Sequence, residues 1–178
     1  MLAPGGTLSP MTTLVLTVVG SDRHGLVAAV AEVVAAHGGN WESSQLAELR
    51  GAFAGIIEVT APPSRVEELR AALVGLDGLL TVGVVVASEG TASARLWEFR
   101  VLGNDRPGIV RDVSSVLSGH GVSIEKMTTE TRDAAMAGGQ LFEAIVSARV
   151  AASTDLDEVV AALERLAAEI QVDVSLGA

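Results

Sequence analysis

The sequence predicts an α+β protein made of two similar domains in tandem, each with the element order βαββαβ. Three observations lead to this prediction. A motif recurs at an offset of 83 positions, so that VVGSDRHGLV at 18–27 corresponds to VLGNDRPGIV at 101–110. Apolar residues alternate in the segments before each motif, which is the period of a strand. After each motif they recur every three to four positions, which is the period of a helix.

The repeat extends well beyond the motif. At the same offset His37 and Gly38 match His120 and Gly121, and Glu42 matches Glu125. Because Asp, Arg, His and Glu are among the matched types, a shared richness in Ala and Val does not explain the similarity. The chain is therefore predicted to be a duplication.

Each copy contains four predicted strands and two predicted helices. Ser64 and Thr154 are the expected N-caps of the second helix in each copy. The expected strands are 12–19, 41–50, 53–61 and 80–88 in the first copy, and 95–102, 124–132, 140–150 and 170–176 in the second. This order predicts a ferredoxin-like sandwich in each half, a four-stranded antiparallel sheet with two helices on one face.

The predicted boundaries follow from the repeat. Residues 1–11 are expected to be a flexible tail without the features of a signal peptide, 12–88 the first domain, 89–94 a linker and 95–178 the second domain. The segment VGVVVA within the strand at 80–88 is apolar on both faces. This pattern predicts that a sheet face or edge packs against another domain or another chain, and both pairings fit it.

Composition excludes several classes of function. The net charge is −10, and Lys126 is the only lysine, so clustered cations for nucleic acid or a membrane surface are not expected. No apolar run approaches the ~18–20 residues of a membrane span. The sequence has no cysteine, which excludes disulfides and thiolate chemistry. A cytoplasmic location is the expectation.

The turn after the first strand of each copy carries the predicted chemistry. Amides at the start of a helix, together with the positive end of its dipole, attract a carboxylate. Asp22 and Asp105 could cap those amides, or they could accept the ammonium group of a ligand. Amides for a carboxylate and an acid for an ammonium suit an α-amino acid. On the residues alone, simple helix capping is favoured, and both interpretations stay open.

The motifs GNDRPGIV with HGVSIE, and GSDRHGLV with HGGNWE, resemble the ACT domain family of amino-acid-sensing modules. The resemblance covers nearly all of residues 12–177. Two such domains filling a short chain are similar to the glycine cleavage system transcriptional repressor group. The resemblance implies that a small amino acid binds between paired ACT domains, through the turn after the first strand and the start of the second strand.

Carried over by position, the implied ligand-binding residues lie in two groups. The first group is Gly20, Ser21, Asp22, Arg23, His24 and Gly25, with Asn40 beside them; the second is Gly103, Asn104, Asp105, Arg106, Pro107 and Gly108, with Ser123. Ser123 replaces the Asn that family members often use to hold the ligand, and His24 replaces the usual Pro. The two sites are therefore expected to be unequal.

Catalysis is not expected. His24 beside Asp22 supplies two ligands, which do not make a zinc site, and His37 and His120 end equivalent helices. No nucleophile elbow, phosphate-binding loop or dinucleotide fingerprint occurs. The sequence thus predicts no enzyme, no cofactor and no metal.

The expected function is an amino-acid-responsive regulator. The resemblance implies a transcriptional regulator of glycine cleavage or amino-acid metabolism that acts through a protein partner, and a homo-oligomer. The alternative is a ligand-free ACT scaffold, or a regulatory subunit that docks on a metabolic enzyme.

Overall fold

The computed structural model describes residues 10–87, 94–133, 139–170 and 172–176. The predicted tail up to residue 9 and the predicted linker up to residue 93 lie outside the described residues, and Ala94, the last residue of the predicted linker, already belongs to a strand. The chain divides into two compact units, and each is a complete βαββαβ domain. The predicted fold class is confirmed in both halves.

The first domain follows the predicted order closely. Its elements are β1 (Thr12–Ser21), α1 (Leu26–Ala36), β2 (Asn40–Leu49), β3 (Ala52–Ala61), a 3-10 turn (Pro63–Arg65), α2 (Val66–Val74) and β4 (Thr81–Val86). The antiparallel sheet has the strand order β2-β3-β1-β4, which places β1 in the interior of the sheet.

The second domain repeats this arrangement. Its elements are β5 (Ala94–Asn104), α3 (Ile109–Gly119), β6 (Ser123–Asp133), β7 (Gln140–Ala151), α4 (Leu156–Ile170) and β8 (Val172–Leu176). The strand order is β6-β7-β5-β8, again antiparallel throughout.

Each domain has its own hydrophobic core between its sheet and its two helices. In the first domain the buried residues of β1 and of the helices include Leu14, Leu16, Val18, Leu26, Val30, Val34, Leu69 and Leu73. In the second they include Phe99, Val101, Ile109, Val113, Leu117, Val159 and Leu163. Alternation along the strands and the i, i+4 spacing along the helices place these residues on one face of each element.

The predicted helix caps are wrong in both copies. A 3-10 turn precedes α2, so Arg65 and not Ser64 occupies its N-cap position. At the start of α4, the Asp155 carboxylate accepts from the amides of Asp157 and Glu158, at 3.0 and 3.4 Å, in place of Thr154. An acidic side chain at this position is a stronger acceptor for helix amides than a hydroxyl.

Candidate functional site

The turn between β1 and α1 is shaped by its contacts with the neighbouring hairpin. The amide of Asp22 donates to the carbonyl of Gly51 at 2.8 Å, which fixes the chain as it leaves β1. Gly25 then takes a left-handed conformation, with φ of 88°, at the N-cap of α1. This conformation costs an L-residue about 1–2 kcal/mol, which explains the glycine.

The turn between β5 and α3 has the same backbone. The amide of Asp105 donates to the carbonyl of Gln140 at 2.7 Å, and Gly108 is left-handed with φ of 96°. The duplication therefore extends to backbone hydrogen bonding, since both turns are tied to the hairpin of their own domain.

Asp22 and Asp105 do not cap the helices that follow them. Among the described residues, no side chain makes a capping hydrogen bond at the start of α1 or α3. Both aspartates are exposed, as are Ser21, His24, Asn104 and Pro107. Of the two interpretations that the sequence left open, helix capping by these acids is therefore wrong.

An open cavity of about 390 Å³ lies beside the first turn. This volume is within the range of about 300–1,000 Å³ found for small-molecule sites. Its lining comes from the end of β1, the turn and the connection from α2 to β4: Val19, Gly20, Ser21, Arg23, Asp77, Gly78, Leu79, Leu80 and Thr81. The cavity thus combines one cationic and one anionic side chain with two hydroxyls.

Two contacts set the form of this cavity. The Arg23 guanidinium donates to the carbonyl of Gly78 at 2.5 Å and so bridges the turn to the connection after α2. A Cβ on Gly20 would lie 2.9 Å from the Leu79 carbonyl oxygen, closer than real Cβ contacts come. Glycine is therefore required for this close approach of the two segments.

The second turn carries an ion-pair cluster made of Arg106, Arg111 and Asp112. The carboxylate of Asp112 accepts from Arg106 at 2.9 Å and from Arg111 at 2.9 Å, and only 19% of its side chain is exposed. These hydrogen bonds, that from Arg111 first, hold the pKa of Asp112 below its usual range. Arg106 also donates to the carbonyl of Pro107 at 3.1 Å.

Asn40 does not lie beside the first turn of its own domain, contrary to the prediction. It begins β2 opposite Thr60, which in turn pairs with Thr13 near the start of β1. Thr13 and Gly20 are seven residues apart on one strand. At about 3.3 Å per residue this is roughly 23 Å.

Ser123 is placed in the same way in the second domain. It begins β6 opposite Arg149, which pairs with Leu96 near the start of β5, whereas Gly103 lies near the far end of that strand. A strand that follows a helix starts at the end of the sheet where the preceding strand started. The expectation that Asn40 and Ser123 lie beside the turns did not take this path of the chain into account.

Glu42 and Glu125 occupy matching bulges, and the sequence interpretation did not use them as site residues. The register of β2 against β3 shifts between Trp41 and Ser43, and that of β6 against β7 between Ile124 and Lys126. Their conservation between the two repeats was the signal that could have identified them. A bulge re-aims the side chain that it carries.

The two bulge carboxylates have different partners. Glu42 accepts from Asn40 at 3.0 Å and from Thr60 at 2.8 Å, and these hydrogen bonds, that from Asn40 first, lower its pKa. Glu125 instead forms an ion pair with Arg149. The amide of Asn40 is thus engaged by a side chain of its own strand.

The helix-terminal histidines have structural contacts. The Nδ1 atoms of His37 and His120 each lie 2.8 Å from the carbonyl oxygen four residues earlier in their helix. In the part of the chain that the structure describes, no group of three acidic or histidine side chains is arranged to hold a metal ion. The described helices include none that is long and apolar enough to cross a membrane.

Comparisons with known proteins agree with the duplicated fold. Sequence profiles of the ACT domain match residues 12–87 and residues 92–173. A crystal structure of an unknown protein from Galdieria sulphuraria is 32% identical, covers 94% of this chain and 98% of its own, and superimposes with a TM-score of 0.85.

A second crystal structure shares the fold at lower identity. It is described as a "putative glycine cleavage system transcriptional repressor" and is 21% identical over 94% of this chain and 96% of its own, with a TM-score of 0.65. A search of curated protein sequences gives no match.

Proposed function

Because the chain belongs to the ACT domain family, with two such domains in tandem, we propose that it is a non-catalytic sensor of a small amino acid. The candidate ligand contacts lie in the turns after β1 and β5. The residues are Gly20, Ser21, Asp22, Arg23, His24 and Gly25 in the first domain, and Gly103, Asn104, Asp105, Arg106, Pro107 and Gly108 in the second. The proposal includes a cytoplasmic location and a homo-oligomeric state.

The cavity beside the first turn carries this proposal. Arg23 supplies a cation for a carboxylate, and Asp77 supplies an anion for an ammonium group on the same cavity wall. The hydroxyls of Ser21 and Thr81 add donors and acceptors that fix orientation. A zwitterion of the size of a small amino acid matches these charges in kind and number.

Asn40 and Ser123 can contact the proposed ligand only if the turn that binds it belongs to a second ACT domain. Each lies at the end of its sheet opposite to the turn, so a site that includes both features requires two ACT domains. The resemblance to the family implies such pairing. Its ligand would then also compete with Glu42 for the amide of Asn40, which Glu42 engages at 3.0 Å.

We extend the proposal to regulation through a protein partner. The net charge of −10 and the single lysine disfavour direct contact with nucleic acid, since such contact depends on clustered cations. A repressor built in this way would act on a DNA-binding protein. The finer assignment, to the control of glycine cleavage or amino-acid metabolism, follows the family resemblance.

Calorimetric titration with glycine, serine, threonine, valine, leucine and isoleucine tests the sensor. We expect heat of binding with at least one of them, and we expect Arg23→Gln to abolish or strongly weaken it. Arg65→Gln is the matched control, because Arg65 is an exposed arginine of the same domain whose one ion pair with a described residue is that with Glu68, at 2.9 Å. A folded protein that gives no heat with any of the six amino acids overturns the sensor.

The alternative function, docking of a ligand-free scaffold or regulatory subunit on a metabolic enzyme, has one observation in its favour. On the sheet face away from α1 and α2, Val19, Ile56 and Val85 are 51%, 47% and 58% exposed. Exposed apolar side chains that share one face of a sheet are a feature of interaction surfaces. Recovery of an enzyme from cell extract by the wild type but not by Ile56→Glu favours docking, whereas recovery of a DNA-binding protein favours the repressor.

A further inference from the structure

We infer that Asp112 closes the second turn to an amino-acid carboxylate, so that the first turn alone binds the amino acid. The inference rests on the proposed sensor function and says which of the two turns performs it. It assigns to Arg111 and Asp112, which lie outside the motif, the role of determining which turn is open.

In the second turn, the Arg106 guanidinium already has hydrogen-bond acceptors within its own domain. Arg106 donates one Nη group to Asp112 at 2.9 Å and the other to the carbonyl of Pro107 at 3.1 Å. Arg111 contacts the same carboxylate through two nitrogens, at 2.8 and 2.9 Å. A carboxylate ligand would have to compete with Asp112 for the Nη2 group of Arg106.

The space beside the second turn is also occupied. A Cβ on Gly108 would lie 3.0 Å from Nη2 of Arg111 and 3.8 Å from Nη1 of Arg106. At Gly25 in the first turn, the same position has no described atom within 4 Å. The start of α3 is therefore covered by two guanidinium groups where the start of α1 is open in the described part of the chain.

The first turn differs because two alanines replace the charged pair. Ala28 and Ala29 stand at the positions of Arg111 and Asp112. Arg23, the counterpart of Arg106, donates to a neutral carbonyl, that of Gly78. A carboxylate that approaches Arg23 would replace a neutral acceptor by a charged one, and hydrogen bonds between charged groups are the stronger kind.

Competition explains why one internal carboxylate is enough to close a turn. Asp112 is held by the chain six residues from Arg106, so its effective concentration there is far above that of a dissolved amino acid. The low pKa of Asp112 keeps it ionised and competing across the neutral pH range. The geometry and the pKa thus favour the same outcome.

The first test uses the unaltered protein. Calorimetry with glycine, serine, threonine, valine, leucine and isoleucine in turn should give one equivalent bound per chain for any amino acid that binds. NMR with the same amino acid should shift the amide resonances of Gly20 and Gly25 and leave those of Gly103 and Gly108 in place. Two equivalents, or shifts at Gly103 and Gly108, overturn this inference and leave the sensor function intact.

A null result has a separate meaning. If none of the six amino acids gives heat or shifts an amide of either turn, the sensor function is overturned, and the present inference with it. The two failures are therefore distinguished by the wild type alone.

Exchanging the two residue pairs between the turns tests the assigned role directly. Arg111→Ala with Asp112→Ala should add a second equivalent. Ala28→Arg with Ala29→Asp should weaken binding at the first turn about tenfold or more, the size of one charged hydrogen bond. Circular dichroism checks the fold of each variant. A well-folded opened variant that still binds one equivalent overturns the inference.

Discussion

On the sheet face away from the helices, as at the turns, the second domain has ion pairs at positions where the first domain has neutral side chains. In the second domain Arg100 donates to Glu143 at 2.6 Å, and Arg132 joins the same carboxylate at 3.2 Å. In the first domain the positions of Arg100 and Glu143 are held by Thr17 and Ala54. The second domain therefore pairs charges at positions where the first has neutral side chains, although both faces also expose apolar residues, such as Ile56 at 47% and Ile145 at 52%.

The two copies have the same backbone and core but different exposed side chains. The turn backbone, the left-handed glycines and the buried positions are shared, because each domain must form its own sheet and core. Exposed side chains have diverged, because the fold does not depend on them. A shared fold and motif are therefore consistent with one working site.

The largest effect is expected in the cores, where the two domains should behave alike. Phe99→Ala should lower the free energy of unfolding of the second domain by about 3–5 kcal/mol, and Leu16→Ala that of the first by about 2–5 kcal/mol. These residues are equivalent, and 1% and 0% exposed. Urea unfolding followed by Trp97 fluorescence in a Trp41→Phe background reads the second domain, and the reverse background reads the first.

In each case the transition of the substituted domain should move to lower urea. An equal shift of both transitions by either substitution would contradict the division into two cores.

The next largest effect is expected at the left-handed glycines, where substitution should have different costs in the two turns. Gly25→Ala and Gly108→Ala should each cost about 1–2 kcal/mol, because both positions are left-handed. Gly108→Ala should cost slightly more than Gly25→Ala, since its Cβ meets Nη2 of Arg111 at 3.0 Å and must shift a guanidinium that pairs with Asp112. The same fluorescence-detected urea titrations measure both.

Arg111→Ala provides the control for this difference. In that background the excess cost at Gly108 should vanish, because the guanidinium that meets the Cβ is gone. An excess that persists would contradict the crowding of the second turn.

The smallest effect concerns the ion pairs on the second sheet. The hydrogen bond from Arg100, and then the charges of Arg100 and Arg132, hold the pKa of Glu143 below its usual value. Its stabilisation is therefore present above the unfolded pKa of about 4.3 and is lost as pH falls through the lower folded pKa. Glu143→Gln should be less stable than wild type at pH 7, and the difference should disappear in acid.

Trp97 fluorescence in urea at several pH values measures this difference. Added salt should reduce it at neutral pH, because these side chains are partly exposed and screened. At each pH and each salt concentration, Glu143→Gln should leave the transition of the first domain where it is in the wild type.

The fold could be predicted from the sequence because its signals are local. Alternation in β1 and the helical period of α1 each predicted one inward face, and Leu14, Leu16 and Val30 on these faces are buried. The turn positions followed from the repeated motif. The prediction that needed the path of the chain was wrong, because Asn40 lies at the far end of the sheet from Gly20. One local prediction also failed, since Asp155 and not Thr154 caps α4.

The sequence by itself determined the duplication, the order of the elements, the inward faces and the two glycine turns, since these depend on residues near one another in the chain. Only the tertiary structure decided which distant residues meet. Sheet order and loop paths bring Arg23 to Gly78 beside a cavity that Asp77 also lines. The folded turn likewise directs Asp112 to Arg106, so the same motif is open in one domain and paired in the other.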